Sequence, residues 1–528
     1  MFKKRKGMLA VLSAAVLMTT AACGGSDSGN EAATTSPGAT GGAATAAPTT
    51  SAPVAIKIMG NYDQPEISET DAKFIQELEK KNNVKLTFEI PPSTGYVERV
   101  QLMLASGEYP DVVFFGNTSE KSFQNAVKDG ILIPVNDYIK SAKNLEKFTY
   151  PASWDQLKIN QDGKIYGIPR TSVVRNDGYW VRKDWLDNVG ITIPANSEVT
   201  IAQFEDILVK FTKNDPDKNG KNDTYGYAGA YNGRKVLDPL LTGPFGLLGW
   251  QKAAGGAYEY MNPMYDKQSD AFKKALEFTT KMYKAGVYDP DSALNDGTKQ
   301  RERFWRGLTG VYPGFAGHYA WHLTEVQKQN PKAELTFIHV QNEKGEVKGG
   351  NLATSPTGLW GFWAITKSAK NPQKIVELLD SWLSDELWPT VVDGYEGQDY
   401  ALQNGEKVAI NPAPKNYIRR NSMRRAYDAE FFITAGTPKD VESKIMPWLQ
   451  KSLDTVIAGK DLGFQPEASK KPNFMDYQKV WDQTMMKIVV GEATVSEFDK
   501  LLDGWYKAGG EDYVKEMNEF IKKMEGSK

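Results

Sequence analysis

One cysteine and three histidines are all that 528 residues supply of the softer metal ligands. A single cysteine excludes an intrachain disulfide and any cysteine-rich zinc site. Three histidines leave little for imidazole-ligated metal chemistry. Neither sign of charge is in excess: 64 Lys and Arg stand against 66 Asp and Glu, a formal −2. A general binder of nucleic acid or acidic membrane needs surplus basic side chains, so that class is excluded. The apolar run Met8–Met18 falls short of the about 20 residues that a membrane span requires. Aromatic residues are plentiful instead, with 13 Trp, 24 Tyr and 22 Phe in a chain that is 25% charged. So many flat apolar rings need a reason beyond core filling. The length is ample for two domains.

Lys3, Lys4, Arg5 and Lys6 precede the apolar run, and Thr19-Thr20-Ala21-Ala22-Cys23 follows it. A basic stretch, a short apolar stretch and small residues before a cut site read as an export signal over residues 1–22. The lone cysteine directly after Ala21-Ala22 resembles a bacterial lipoprotein signal. In that pattern the cysteine, here Cys23, is lipidated (palmitate among its acyl chains) and becomes the first mature residue. Thr20 stands where Leu is usual, and an ordinary secretory signal is the alternative. Residues 23–53 are rich in Gly, Ser, Ala, Thr and Pro. They bury too little to offset their ordering entropy and are expected to form a disordered tether. Its r.m.s. span is roughly 30 Å on the random-coil relation. The expected location is the cell membrane, by lipid anchor, on the extracytoplasmic face.

From Val54 the pattern changes. Val54–Met59 reads as a strand ending at Gly60, and Ser68–Lys81 as a helix with Phe74, Ile75 and Leu78 on one face. Val84–Ile90 is a second strand and Tyr96–Ser106 a second helix. Asp111–Phe115 is a continuous apolar run between Pro110 and Gly116, as in a buried parallel strand. This β-α-β-α-β order predicts an α/β fold with a parallel sheet and right-handed crossovers. Ligands of such sheets lie beyond the carboxyl ends of the strands. Asn61, Tyr62, Asp63, Phe115 and Asn117 are therefore candidate binding residues.

The phrases Leu104-Ala-Ser-Gly-Glu-Tyr-Pro-Asp-Val-Val, Asp129-Gly-Ile-Leu-Ile-Pro-Val, Asp162-Gly-Lys-Ile-Tyr-Gly-Ile-Pro and Trp180-Val-Arg-Lys-Asp-Trp-Leu carry a resemblance. In that order and spacing they resemble extracellular solute-binding proteins of family 1, the capturing lipoproteins of ABC importers for sugars. The tail Asp503-Gly-Trp-Tyr-Lys-Ala-Gly-Gly-Glu resembles the LplA-like subgroup. The resemblance implies a two-lobe periplasmic-binding-protein type II fold, with ligand clamped in a cleft and a hinge of crossing segments. It places the first lobe at 54–178 and 364–428, and the second at 179–363 and 429–528. A first crossing is expected near Asn176–Arg182 and a later one around Arg425–Phe432.

Asp215-Pro-Asp217-Lys-Asn219-Gly220-Lys221-Asn-Asp223 places oxygen side chains at loop positions 1, 3, 5 and 9, with Gly at 6. That matches the calcium loop of an EF-hand, where Lys221 would offer its carbonyl and Thr224 a carbonyl or hydroxyl. The Glu expected at position 12 is replaced by Gly226. A structural calcium site is expected; an Asx-rich turn without metal is the alternative.

Enzyme signatures are weaker. His318 and His322 stand at i, i+4 without the Glu of a zinc-protease motif. Asp289/Asp291 and Asp385/Glu386 are pairs that a glycosidase dyad would need, but they flank turns or helix ends. A secreted carbohydrate-active enzyme is the alternative reading, and a binder of another solute, such as peptide, a second. The main expectation is a non-enzymatic, monomeric receptor that captures a neutral or weakly acidic oligosaccharide and passes it to an ABC permease. Sugars offer apolar faces and polar edges, which suit aromatic platforms with a few placed polar groups. The aromatic candidates in turn-like or strand-end contexts are Trp250, Phe315, Trp321, Trp360, Trp363 and Tyr395. His318, Glu396, Arg170 and Asp177 are the polar ones. Core packing competes for every ring. Arg419, Arg420, Arg424 and Arg425 form a basic cluster that either faces the cleft or covers an outer surface.

Overall fold

Apolar side chains at Ile56 and Ile58 alternate with exposed Lys57, and Val84 and Leu86 with exposed Lys85, so each segment buries one face of a strand. The computed structural model describes residues 52–526 apart from 63–65, 93, 160–162, 231–242, 351–356, 411–417, 427–432 and 434–436. The expected signal, Cys23 and nearly all of the tether lie outside the described residues. Val54–Met59 pairs in parallel with both Val84–Glu89 and Val112–Phe115. Leu359–Ile365 joins antiparallel to Val112–Phe115, and Ile168–Thr171 completes the five strands. Val112–Phe115 is buried along its whole length, as its unbroken apolar run predicts.

The helix Glu69–Asn82 between the first two strands begins at Ser68, whose Oγ accepts the Asp71 N–H at 3.1 Å. Phe74, Ile75 and Leu78 are its buried face, and Asn83, at φ 50°, ends it. Asp71 is buried as well. Its carboxylate accepts the backbone N–H groups of Ile418 and Arg419 at 3.0 and 3.1 Å, fastening a distant segment to this helix.

A second five-stranded sheet has the order Glu198–Val199, Leu335–Val340, Gly178–Arg182, Thr309–Gly314, Tyr225–Tyr227. Successive side chains of Gly178–Arg182 point to opposite faces, and both faces are covered. Tyr179 and Val181 pack with Phe204, Ile207 and Phe211. Trp180 packs with Phe304, Phe337 and Leu449 on the other side. The helices Pro472–Val489, Glu497–Trp505 and Glu511–Gly526 enclose a further aromatic core, where Tyr265 and Trp505 stack at 4.3 Å. The fold is thus the expected two-lobe type.

The chain leaves the first sheet at Thr171 and enters the second at Gly178. The sequence reading carries the second lobe to residue 363, but Leu359–Ile365 is hydrogen-bonded within the first sheet. The return therefore precedes Leu359, because the apolar run that follows Gly361 suits a central strand. Of the expected later crossing, 427–432 lie outside the described residues. Gly349–Gly350 pairs with Val456–Ile457 beside the first crossing. There the Asn176 N–H donates to the Ser452 carbonyl at 2.7 Å, and its Nδ2 to Thr455 Oγ1 at 3.1 Å. A Cβ on Gly349 would lie 1.8 Å from Asn176 Oδ1, so glycine is required at this approach.

His339 sits at this junction, 2% exposed, its Nε2 3.2 Å from Ser452 Oγ. Burial, and then Lys451, hold its pKa down to about 4. An unfolded histidine titrates near 6.5. As pH falls from 6.5 toward 4, the unfolded chain gains a proton that the native state refuses. The contribution of His339 is complete above pH 6.5 and is lost across that window, at up to about 1.4 kcal/mol per pH unit. Melting temperatures of the wild type and His339→Gln should converge as pH falls from 7 to 5. A constant difference would remove His339 from the pH response.

Candidate functional site

Strand ends and the first crossing build this site. After Val112–Phe115, Glu120 Oε1 accepts the N–H groups of Gly116 and Asn117 at 2.7 and 3.1 Å, which folds the loop over the strand end. Asn61 is half-buried and Asn117 exposed at this edge. Tyr62 is buried, its hydroxyl 2.6 Å from Ser422 Oγ and its ring against Trp363. Asp63 lies outside the described residues.

Arg170 and Trp360 form the first-lobe wall. Arg170 Nε donates to the Trp360 carbonyl at 3.0 Å and Nη1 to the Asn421 carbonyl at 2.7 Å. Its guanidinium lies 4.4 Å from the ring centres of both Phe114 and Trp360. Burial draws its pKa down to about 10, which leaves it charged at neutral pH. Arg424 places a second guanidinium 4.0 Å from the Trp360 ring. Trp360 is 39% exposed although Trp363 on the same strand is 1% exposed. The strand register shifts between Leu359 and Phe362, and Gly361 adopts φ 101°, a bulge that breaks simple alternation.

The opposing wall starts in the crossing. Arg175 Nε donates to Asp177 Oδ1 at 2.7 Å, and its guanidinium lies 3.9 Å from the Phe315 ring centre. Burial raises the Asp177 carboxyl, and Arg175 opposes that shift. His318 is exposed yet closely surrounded, edge-on to Phe315 at 5.3 Å and to Trp321 at 5.5 Å. The rings crowded around it first, and then the charges of Arg175, Arg424 and Arg301, lower its pKa, so it is neutral at pH 7. Arg301 and Trp305, at i, i+4 on the helix Gly297–Trp305, extend the wall. Arg301 lies 5.0 and 5.1 Å from the rings of Trp305 and Trp321. His322 is buried behind them, its Nδ1 accepting the Trp305 Nε1–H at 2.9 Å. Burial first, and then His318 and Arg301, hold the His322 pKa well below its usual value.

Several expected site residues are core instead. Phe115, fully buried, packs on Phe362 and Phe123 at 5.7 and 5.3 Å. Trp363 donates its Nε1–H to the Ser422 carbonyl at 2.7 Å and packs on Phe114. Trp250, 3% exposed, belongs to the C-terminal aromatic core with Tyr265 and Tyr513. Phe115 and Trp363 face inward because their strands are covered on both faces, and Trp250 because its turn closes over the C-terminal core. Tyr395 packs beneath Lys73, whose Nζ lies 3.9 Å from its ring centre, and Glu396 is exposed in the same loop. The basic cluster divides. Arg424 reaches the cleft, Arg419 is interior, and Arg425 pairs with Asp385 at 2.7 Å. Arg301 and Trp305 were not foreseen. Their only signal is the i, i+4 pair of Arg301 and Trp305 just before a strand.

The wall is suited to binding, not bond breaking. Asp177 is held by Arg175, and Asp289 and Asp291 both grip Arg303. Asp385 pairs with Arg425 and Lys147, and Glu386 with Lys81.

In the acidic loop Asp215 (φ 44°), Lys218 (φ 55°) and Gly220 (φ 78°) turn the backbone back on itself. Asp215 Oδ1 and Oδ2 accept the N–H groups of Asn219 and Gly220 at 3.0 and 2.9 Å. Asn219 Nδ2 donates to both Asp217 Oδ2 and Asp223 Oδ1, at 2.9 and 3.0 Å, and its Oδ1 accepts the Lys221 N–H at 2.7 Å. The Asp217 carboxyl is raised, by burial and by Asp215 and Asp223, against the Asn219 N–H. No group of three His, Cys, Asp or Glu among the described residues forms a ready-made metal cage. The donors nevertheless suit a hard cation, since crowded carboxylate oxygens share amide protons that an ion would replace. The Thr224 hydroxyl is not one of them. It is buried and donates to the Phe211 carbonyl at 2.9 Å. Gly226 replaces the usual Glu for a steric reason: a Cβ there would lie 2.5 Å from the Leu208 carbonyl oxygen.

Known proteins share this architecture. The chain is 25% identical over 466 residues to the polygalacturonan/rhamnogalacturonan-binding protein YtcQ of Bacillus subtilis, covering 85% of this chain and 88% of that one. It is also 25% identical to the lipoprotein LipO of the same organism, over 88% of this chain and 91% of LipO. Among solved structures, the FusA substrate-binding protein of an S. pneumoniae ABC transporter, an EF-hand mutant with fructo-nystose, superposes with TM-score 0.62. That match covers 90% of this chain and all of FusA at 18% identity. The profile for bacterial extracellular solute-binding proteins matches residues 63–387, more than half of the sequence. With its two lobes and a wall of binding rather than catalytic groups, the chain belongs to the bacterial extracellular solute-binding proteins, which bind and do not catalyse.

Proposed function

We propose that this protein is a lipid-anchored receptor on the extracytoplasmic face of the cell membrane, which captures an oligosaccharide and delivers it to an ABC permease. The observation that carries the reading is an aromatic and arginine wall on each lobe, Trp360 with Arg170 and Arg424 on one and Trp321 with Arg301 on the other, linked by the charge of Arg424 acting on His318. Rings of fixed geometry cover apolar sugar faces, and guanidinium and imidazole groups meet hydroxyls. The names of YtcQ and FusA, both sugar binders, support the same ligand class. Melting temperature across oligosaccharide and peptide panels tests it, because a ligand of the native state alone raises apparent stability. Stabilisation by oligosaccharides is expected; stabilisation by peptides alone would overturn the reading.

Anchoring rests on the Ala21-Ala22-Cys23 sequence and on the likeness to LipO. Serine cannot supply the thiol that receives lipid, so Cys23→Ser should shift the protein from the membrane fraction to the medium, or leave its signal uncleaved. Unchanged retention and cleavage would refute lipidation.

Calcium is proposed at Asp215, Asp217, Asn219 and Asp223, where it would neutralise crowded carboxylates and stiffen the turn; the EF-hand named for FusA supports it. At free calcium 100-fold above Kd, mass action gives about 2.7 kcal/mol of stabilisation. EDTA should lower the melting temperature of the wild type and leave Asp217→Ala unaffected. Identical melting with EDTA and with millimolar calcium would make this an acidic turn only.

A further inference from the structure

Arginine is concentrated where the two walls meet. Arg170 and Arg424 flank Trp360, Arg175 stands in the crossing, and Arg301 lies between Trp305 and Trp321. Asp177, the carboxylate of this group, is already paired with Arg175. Arg170 donates to two neutral carbonyls, and no hydrogen bond from its Nη2 is made among the described residues. The Arg301 charge acts on the Tyr312 hydroxyl, while its buried Nε has no hydrogen-bond partner among the described residues. Neither Arg170 nor Arg301 has an acidic partner there. The charges also act on one another: burial and then Arg170, Arg420 and Arg175 hold the Arg424 pKa well below its usual value. This local excess of positive charge stands in a chain whose formal total is −2, so it belongs to the cleft and not to the protein as a whole.

We infer that the cleft selects an oligosaccharide bearing carboxylates, a uronic-acid oligomer, with Arg170 on one wall and Arg301 on the other meeting its charged groups. The inference rests on the reading of this cleft as a sugar site. A guanidinium fork matches a carboxylate in two parallel hydrogen bonds, a geometry that a neutral hydroxymethyl group cannot return. Between the two arginines, Trp360, Trp321 and neutral His318 supply ring faces and a hydrogen-bonding edge without further charge. A carboxylate entering here relieves repulsion among cations and fills donor sites that the described residues leave open.

Calorimetry on the mature chain tests this with trigalacturonate, trimannuronate, their methyl esters and maltotriose. At least one acid trimer should bind tenfold or more tighter than its own ester, with affinity falling as sodium chloride rises. Arg301→Gln should cost that trimer tenfold or more and its ester under threefold. Arg301→Lys, which keeps the charge but not the fork, should fall between them and serves if the glutamine variant fails to fold. Esters binding as tightly as acids, or maltotriose binding while both acids fail, would overturn acid selection and leave the sugar reading standing. Failure of every saccharide, with peptides raising the melting temperature, would overturn both. Failure of every probe overturns acid selection.

Discussion

Trp360→Ala should leave the protein folded and weaken the oligosaccharide that most stabilises the wild type by at least about 30-fold, the scale of a truncated aromatic hot spot. Trp360 is 39% exposed and stands on a bulge, so little core is lost with it. Its ring orders the guanidinium groups of Arg170 and Arg424, which lie 4.4 and 4.0 Å from its centre. Removing it deletes a sugar surface and frees two arginines from their common orientation. Trp360→Phe should recover part of the affinity. Calorimetry beside a melting curve separates binding from folding; an alanine variant within threefold of the wild type would place the sugar elsewhere.

Arg419→Ala should destabilise the first lobe by about 3–5 kcal/mol, the cost of breaking a buried, hydrogen-bonded charge pair. Arg419 is 1% exposed. Its Nη1 donates to the carbonyls of Thr390 and Val391 at 3.0 and 3.2 Å, and its Nη2 reaches Asp399 at 3.3 Å. Asp399 in turn accepts the Tyr395 N–H at 2.8 Å. Truncation would leave a carboxylate and two carbonyls without their donor. Lysine keeps the charge but not the fork, so Arg419→Lys should be intermediate. Urea unfolding measures the difference, and a loss under 1 kcal/mol would show that the surroundings repack.

The fold was legible where local chemistry and burial agree. Alternation in Val54–Met59, the unbroken run in Val112–Phe115 and the cap at Ser68 each point to the element observed. The strand-end rule points to one end of the first sheet, where Asn61 and Asn117 lie. It did not tell which rings turn outward. Phe115 and Trp363 continue their strands into the core, whereas Trp360 escapes because the register shifts beside Gly361. A bulge is set by pairing with strands far along the chain, which a local pattern does not contain. Arg301 was missed for the same reason. Its helix carries mixed charge like a surface helix, and only the tertiary position of Trp321 and Tyr312 gives its guanidinium a purpose. Trp250 failed differently: glycines around it signalled a loop, but that loop is the lid of an aromatic core.

The strand Leu359–Ile365 lies between Val112–Phe115 and Ile168–Thr171, yet Phe362 pairs with Phe115 across about 250 residues of chain. Synthesis at about 5–20 residues per second puts roughly 12–50 s between the two partners. During that interval the emerging first sheet has an open middle and no means of closing it. Contacts of such long separation also form slowly once the chain is complete. The first sheet therefore cannot close until Leu359–Ile365 exists, so the order of its strands makes closure of this lobe a late event in the life of the chain.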